Sequence, residues 1–265
     1  MTEEHVTYVK EDDIGIVTLN RPDKMNAVTY GMLGRLGEIV KEIKNDDTVR
    51  AVILTGSGRA FSAGTDISAK VTPDPGELIR GIKEKNATES PQSSWMFTSI
   101  AKPVICALNG VAVGVGSELA LQSDVRIAAE SARFGQVFVH RGIVPDTAAG
   151  TYLLPRLVGI SNACDLIFSG KIIDAMEMLR IGLVSRVVPD ADLMDTARKL
   201  AKTYTAGAPL SIQFCKQLIY RGLERSIEAH QMASRACLDI CFQTEDFKEG
   251  ITSFFEKRPA HWKGK

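Results

Sequence analysis

An α/β fold is predicted by three features of the 265-residue sequence. Apolar runs of strand length recur at 14–19, 51–55, 103–108 and 125–128. Between the first two lies a stretch, 29–43, whose apolar residues Met32, Leu33, Leu36, Ile39, Val40 and Ile43 keep helical spacing. Strand, helix and strand thus repeat over 14–128, the order of right-handed βαβ turns. Beyond about residue 145 the pattern turns mostly helical.

Each element has its local cause. Residues 6–20 alternate and then run apolar with Gly15 between, which reads as a hairpin of two strands ended by Arg21-Pro22-Asp23-Lys24. The amphipathic helix closes before Asn45-Asp46-Asp47. A buried strand, Ala51-Val-Ile-Leu-Thr55, is cut by Gly56-Ser57-Gly58, which opens a loop containing Phe61-Ser62-Ala63-Gly64-Thr65-Asp66. After Pro73 and Pro75, residues 77–100 read as a helix of weaker periodicity. Pro103-Val-Ile-Cys-Ala-Leu108 is a strand that Asn109-Gly110 turns toward glycines 110, 114 and 116 and a helix through Leu119-Ala-Leu121. Val125-Arg-Ile-Ala128 is a further strand, and the remaining helices fall at 147–156, 161–168, 173–180, 192–206, 209–222, 226–242 and 244–256, with a short strand at 184–188. Apolar faces on these late helices have no evident partner in the core, which predicts a homo-oligomer.

Composition excludes several classes. A chain of this length buries a sizeable core without disulfides or a structural metal. Thirty-two basic and 32 acidic residues give no net charge, which removes the basic footprint of a general nucleic-acid binder. The five cysteines (Cys106, Cys164, Cys215, Cys237, Cys241) form no C-x-x-C pair and read as buried thiols of a reducing compartment. The N-terminal residues resemble neither a signal nor a transit peptide, and no apolar run spans a bilayer, so the expected location is cytoplasmic, without membrane association.

Four scattered histidines without zinc spacing argue against a metal site. Gly56-Ser-Gly58 and Gly114-Val-Gly116 lack the third glycine of a dinucleotide fingerprint, where Phe61 and Leu119 stand. No Walker loop or G-x-S-x-G elbow occurs. What remains is two glycine-bearing loops, each where a strand hands over to a helix and backbone N–H groups are exposed. Converging on one point, they would form an oxyanion hole; as isolated turns, they would only permit positive φ or close packing.

The run Leu19-Asn-Arg-Pro22 with Asn26-Ala27, then Arg59-Ala-Phe-Ser-Ala63-Gly64-Thr65-Asp66-Ile67, Asn109-Gly110-Val-Ala-Val-Gly114-Val-Gly116-Ser-Glu118, Ser123-Asp124 and Phe134-Gly135-Gln136 resembles the crotonase, or enoyl-CoA hydratase/isomerase, superfamily. The ending Glu245-Asp-Phe-Lys-Glu-Gly250 through Phe254-Phe255-Glu256-Lys257-Arg258 is similar to that family's last helix, so the resemblance covers essentially the whole chain.

The resemblance implies a crotonase-like spiral of ββα turns over 1–195 holding an acyl-CoA site. It implies a helical oligomerisation region over 196–265, assembled as a homotrimer or a dimer of trimers. Coenzyme A enters as part of the substrate, with no separate cofactor and no metal. Backbone N–H groups of Thr65 and Val115 would hold the thioester oxygen, Val115 standing where the family often has glycine. Lys24, Met25, Ala27, Ala63, Asp66, Ile67, Phe138 and Lys257 are the expected substrate and coenzyme A contacts.

Glu118 matches one of the two hydratase glutamates; read alone, it is a first-turn acid complementing a helix dipole. The second glutamate is replaced by Phe138, while Asp146 stands where related isomerases and a dehalogenase carry a catalytic aspartate. Read alone, Asp146 before Thr147-Ala-Ala is a helix cap worth about 1 kcal/mol. Burial beside Phe138 would push its carboxyl up. His140 and Arg141 stay outside the assignment. The expected activity is hydration or isomerisation of a double bond conjugated to a thioester, through an enolate. The alternatives are thioester hydrolysis or halide displacement with Asp146 as nucleophile, and a scaffold binding acyl-CoA or RNA.

Overall fold

Strands β1 (Val6–Glu11) and β2 (Ile14–Leu19) form the predicted hairpin, in a computed structural model that describes residues 4–66 and 95–265. The turn falls at Asp12-Asp13, with Asp12 at φ 53°, and Gly15 lies inside β2 rather than between the strands. Helix α1 (Tyr30–Asn45) follows, capped by Thr29, whose Oγ1 accepts from Met32 N at 3.2 Å. The face Met32, Leu36, Ile39, Val40 and Ile43 is buried, and Lys102 Nζ closes the other end by donating to Ile43 O and Asp46 O, both at 2.6 Å.

Strands β3 (Ala51–Gly56), β5 (Val104–Leu108), β7 (Val125–Ala129) and β10 (Arg186–Val188) extend the hairpin into a six-stranded sheet of order β1-β2-β3-β5-β7-β10, parallel beyond β2. β3 and β5 are buried along their whole length, which is why they read as unbroken apolar runs. A second sheet, β4-β6-β8-β9, is built from β4 (Ala60–Ser62), β6 (Val111–Val113), β8 (Arg133–Gly135) and β9 (Ile172–Asp174). Against β4 and β6 packs α2 (Val115–Leu121), every residue buried.

Helix α3 (Ala149–Ser169) merges the two helices expected at 147–156 and 161–168 across a kink at Gly159. α4 (Ala175–Arg180) and α5 (Leu193–Thr205) follow. Leu193, Ala197 and Ala201 of α5 cover the face of the large sheet formed by Ile14, Ile16, Ile53, Ile105 and Ile127. Residues 67–94, which include most of the helix expected at 77–100, lie outside the described part, and 96–99 are turns.

Helices α6 (Pro209–Gly222), α7 (Ile227–Phe242) and α8 (Glu245–Glu256) complete the chain. Asp124, just past α2, accepts from Val104 N, Lys216 Nζ and Tyr220 Oη, each at 2.7 Å, and so ties α6 to the core through a buried ion pair. Farther out, Leu223, Met232, Phe254 and Phe255 are 75–78% exposed in the single chain. The cysteines are free, but only Cys106 is buried: Cys215 is exposed and the other three are half-buried. The expectation of uniformly buried thiols is therefore corrected, because Cys215 opens onto a cavity that α6 leaves beside Leu121 and Tyr152. Among the described residues no helix is long and apolar enough to cross a membrane.

Candidate active site

The segment that precedes the first glycine loop is locked by a buried asparagine. Asn26 donates from Nδ2 to Ser57 O (2.8 Å) and Ala60 O (2.7 Å) and accepts from Arg21 N (2.7 Å). Arg21 in turn donates to Ala27 O (2.8 Å) and pairs with Asp66 at 2.9 Å. Asp66 is thereby a brace of the loop through its carboxylate. Ala63 N donates to Met25 O at 2.9 Å, so Lys24, Met25 and Ala27 run beside Ala63 and Thr65. Ile67 lies outside the described residues.

The Val28–Thr65 bridge uses Gly64 O and Asp66 N, which leaves the N–H of Thr65 pointing to the opposite side. There the second loop arrives: a carbon added to Gly114 would lie 3.5 Å from Gly64 Cα. Gly116 lets α2 press directly on β4, since a Cβ on it would stand 2.6 Å from Ser62 Cβ. Val115 is the first residue of α2, so its N–H has no intrahelical acceptor. The fold thus sets two backbone donors, Thr65 and Val115, on neighbouring loops, with the positive end of α2 behind one of them.

One helical turn on, Glu118 is fully buried. Its Oε2 accepts from Thr147 Oγ1 at 2.7 Å, while Oε1 has no hydrogen-bond partner among the described residues. Burial pushes the Glu118 carboxyl above its ordinary range; the Thr147 hydroxyl, the Gly150 N–H and the Gln136 side chain pull the other way, and the charge of Asp146 adds to the rise. Gly150 is the reason the carboxyl fits. A Cβ there would lie 2.6 Å from Glu118 Oε1 and 2.4 Å from Gln136 Oε1.

Asp146 is not the cap of α3. That position belongs to Ala148, at φ 63° and without a side-chain bond, and Asp146 turns its carboxylate to its own N–H and that of Thr147. The capping reading fails because Ala148, in the left-handed region, turns the chain once more between Asp146 and the first helical residue, Ala149. Crowding by protein atoms raises the Asp146 carboxyl above its usual value, yet the residue is exposed in the single chain, so water tempers that push. Phe138 is buried in the short 3₁₀ turn Val137–Arg141.

The structure therefore brings Lys24, Met25, Ala27, Ala63, Thr65, Asp66 and Val115 together, with Glu118 a turn away and Asp146 within electrostatic reach of it. It does not bring Lys257. That residue ends α8, whose following segment packs on Arg50 and Ala206 through Trp262. Sequence reasoning missed Thr147, which also accepts from Trp95 Nε1 at 2.7 Å through its carbonyl, and the buried pair Ser117–Gln136. Its only available signal was a hydroxyl residue beside each carboxylate.

Residues 10–265 match the family model for enoyl-CoA hydratase/isomerase. The chain is 40% identical over 262 residues to a short-chain-enoyl-CoA hydratase of Clostridium acetobutylicum, covering 96% of this chain and 95% of that protein. It is 33% identical over 261 residues to a 1,2-epoxyphenylacetyl-CoA isomerase of Escherichia coli, covering 96% and 97%. The crystal structure of an enoyl-CoA hydratase from Bacillus anthracis superposes with a TM-score of 0.91 at 31% identity, over 99% of this chain and all of that one.

Proposed function

The chain belongs to the enoyl-CoA hydratase/isomerase family, and from that premise we propose that it moves protons at a carbon–carbon double bond beside a coenzyme A thioester. The observation that carries the reading is a fully buried carboxyl with an unpartnered oxygen, one turn beyond a free helix N–H and next to a second, more open carboxyl. Two carboxyls in such different surroundings divide into acid and base. Glu118, the more strongly desolvated, is the proton donor; Asp146, nearer water, is the acceptor.

Asp146 takes a proton from the substrate's α carbon, and the electron pair runs into the thioester. The resulting enolate oxygen accepts from the N–H groups of Thr65 and Val115, where preorganised donors stabilise developing charge. Glu118 then gives its proton to the γ carbon and the double bond moves into conjugation. Transfer of the proton from Asp146 back to Glu118 resets the pair. With water between Asp146 and the β carbon, the same pair performs hydration. Phe138, apolar and buried, supplies no carboxylate of its own and favours isomerisation.

No further cofactor enters this chemistry. Lys24, Met25, Ala27 and Ala63 line the approach for the coenzyme A portion, and Lys257 joins only if another subunit brings it. The exposed apolar side chains of α6–α8 support assembly of the 196–265 region into a homotrimer or a dimer of trimers, around a 1–195 core that carries the site. Five free thiols support a cytoplasmic location.

Mass-resolved turnover of straight-chain, dienoyl and ring-bearing enoyl-CoA thioesters in deuterated water tests the reading. Deuterium gained with or without water supports it. Release of free coenzyme A would replace it with hydrolysis, and an unchanged panel with bound thioester would leave a scaffold.

A further inference from the structure

Behind the Val115 N–H lies a chain of hydrogen bonds that the proposed reaction does not itself require. Ser117 and Gln136 are both fully buried. Ser117 Oγ donates to Gly114 O at 2.6 Å, and Gln136 Nε2 donates to Ser117 Oγ at 3.0 Å. The directions are fixed by count. A serine hydroxyl has one proton, and the 2.6 Å contact with a carbonyl, which can only accept, uses it. The Gln136 atom facing Ser117 must then be the amide nitrogen.

Gly114 C=O and Val115 N–H are the two ends of one peptide group. Drawing electron density toward that oxygen makes the N–H a better donor, and consecutive hydrogen bonds polarise one another in the same sense. The relay thus runs from the Gln136 amide through the Ser117 hydroxyl and the Gly114 carbonyl to the Val115 N–H. Glu118 N donates to the same carbonyl at 3.1 Å, so the first turn of α2 keeps a helical bond even without the serine oxygen.

We infer that Ser117 and Gln136 are positioning residues that aim and strengthen the Val115 N–H toward the thioester oxygen. This rests on the reading of Val115 as a donor to that oxygen. The loss of one oxyanion-hole donor costs roughly 10²- to 10³-fold in turnover, and each cooperative bond adds about 10–30% to its neighbour. Ser117→Ala is therefore expected to lower kcat about two- to eightfold, with little change in KM and an unmoved pH profile, since both carboxyls remain.

The direct readout is the carbonyl stretch of crotonyl-CoA ¹³C-labelled at C1, bound at saturation and read by isotope-edited infrared difference. The wild-type protein should lower that frequency relative to free thioester. Ser117→Ala should lose part of the downshift, Gln136→Met a smaller part, and Ser117→Thr, which keeps the hydroxyl, should retain it. A full downshift in both Ser117→Ala and Gln136→Met, each confirmed as folded, would overturn the relay alone. No downshift in the wild-type protein would overturn the oxyanion-hole reading beneath it.

Discussion

Replacing Gly150 by alanine is the sharpest perturbation of the site. In a helix this change normally stabilises, by about 0.4–1 kcal/mol, and Gly150 is an ordinary second residue of α3 without a positive φ. Here the added carbon would stand 2.4 Å from Gln136 Oε1 and 2.6 Å from Glu118 Oε1, where ordinary contact begins near 3.4 Å. Both side chains are fully buried, so neither can swing into solvent. Relief requires the Glu118 oxygen to retreat by about 0.8 Å, the difference between those two distances. Overpacking of this kind costs about 1–3 kcal/mol, which lowers Tm by roughly 2–12 °C in a chain of this size. A displacement near 1 Å at a proton-transferring group costs on the order of 10²-fold in rate. Thermal melts and steady-state turnover of Gly150→Ala should therefore show a lower Tm and a roughly 100-fold lower kcat, with KM nearly unchanged. A variant as active and as stable as the wild type, or more stable, would refute the packing argument.

Three further outcomes follow from the same contacts. Because burial raises the Glu118 carboxyl in the folded chain, its contribution to stability is fully present below the ordinary glutamate value and is lost as pH rises through the raised one. Glu118→Gln should then match the wild type at low pH and exceed it above that window in denaturant midpoint, while losing activity. Asp124→Ala strands the buried Lys216 ammonium and should cost about 3–5 kcal/mol by urea unfolding. Asp146→Ala, which removes no helix cap, should leave Tm within about 2 °C of the wild type, less than the loss of a true cap of roughly 1 kcal/mol would allow.

The large sheet and most late helices could be read from the sequence because their signals are long: buried runs such as Ala51–Gly56, and helical spacing sustained over a dozen residues or more in α1 and α5 to α8. The second sheet could not. Its strands have three residues each, too few to express a period of two, and they are held by neighbours distant in sequence. Gly15 was equally opaque, since a glycine inside a strand and one at a turn look alike until the pairing register is known. Glu118 and the two loops carried motif and spacing together, whereas Thr147, Ser117 and Gln136 became visible only as hydrogen-bond partners across 29, 3 and 19 positions of sequence. Asp146 had the right chemistry for a cap and the wrong place, because a left-handed turn at Ala148 delays the start of the helix.

In the proposed reaction Asp146 exchanges a proton with the α carbon of a thioester whose oxygen is held by two backbone donors, and Glu118 serves the far end of the double bond. Its most direct test needs no knowledge of the natural acyl group. Butyryl-CoA, which can form the enolate but has no double bond to move, is incubated with the protein in deuterated water and its α protons are followed by NMR. The wild-type protein should exchange them, and Asp146→Asn should slow the exchange by at least about 10²-fold while still binding the thioester, whereas Glu118→Gln, whose carboxyl serves the γ carbon, should slow it much less. Exchange at wild-type rate in Asp146→Asn, or none in the wild type, would contradict the assignment.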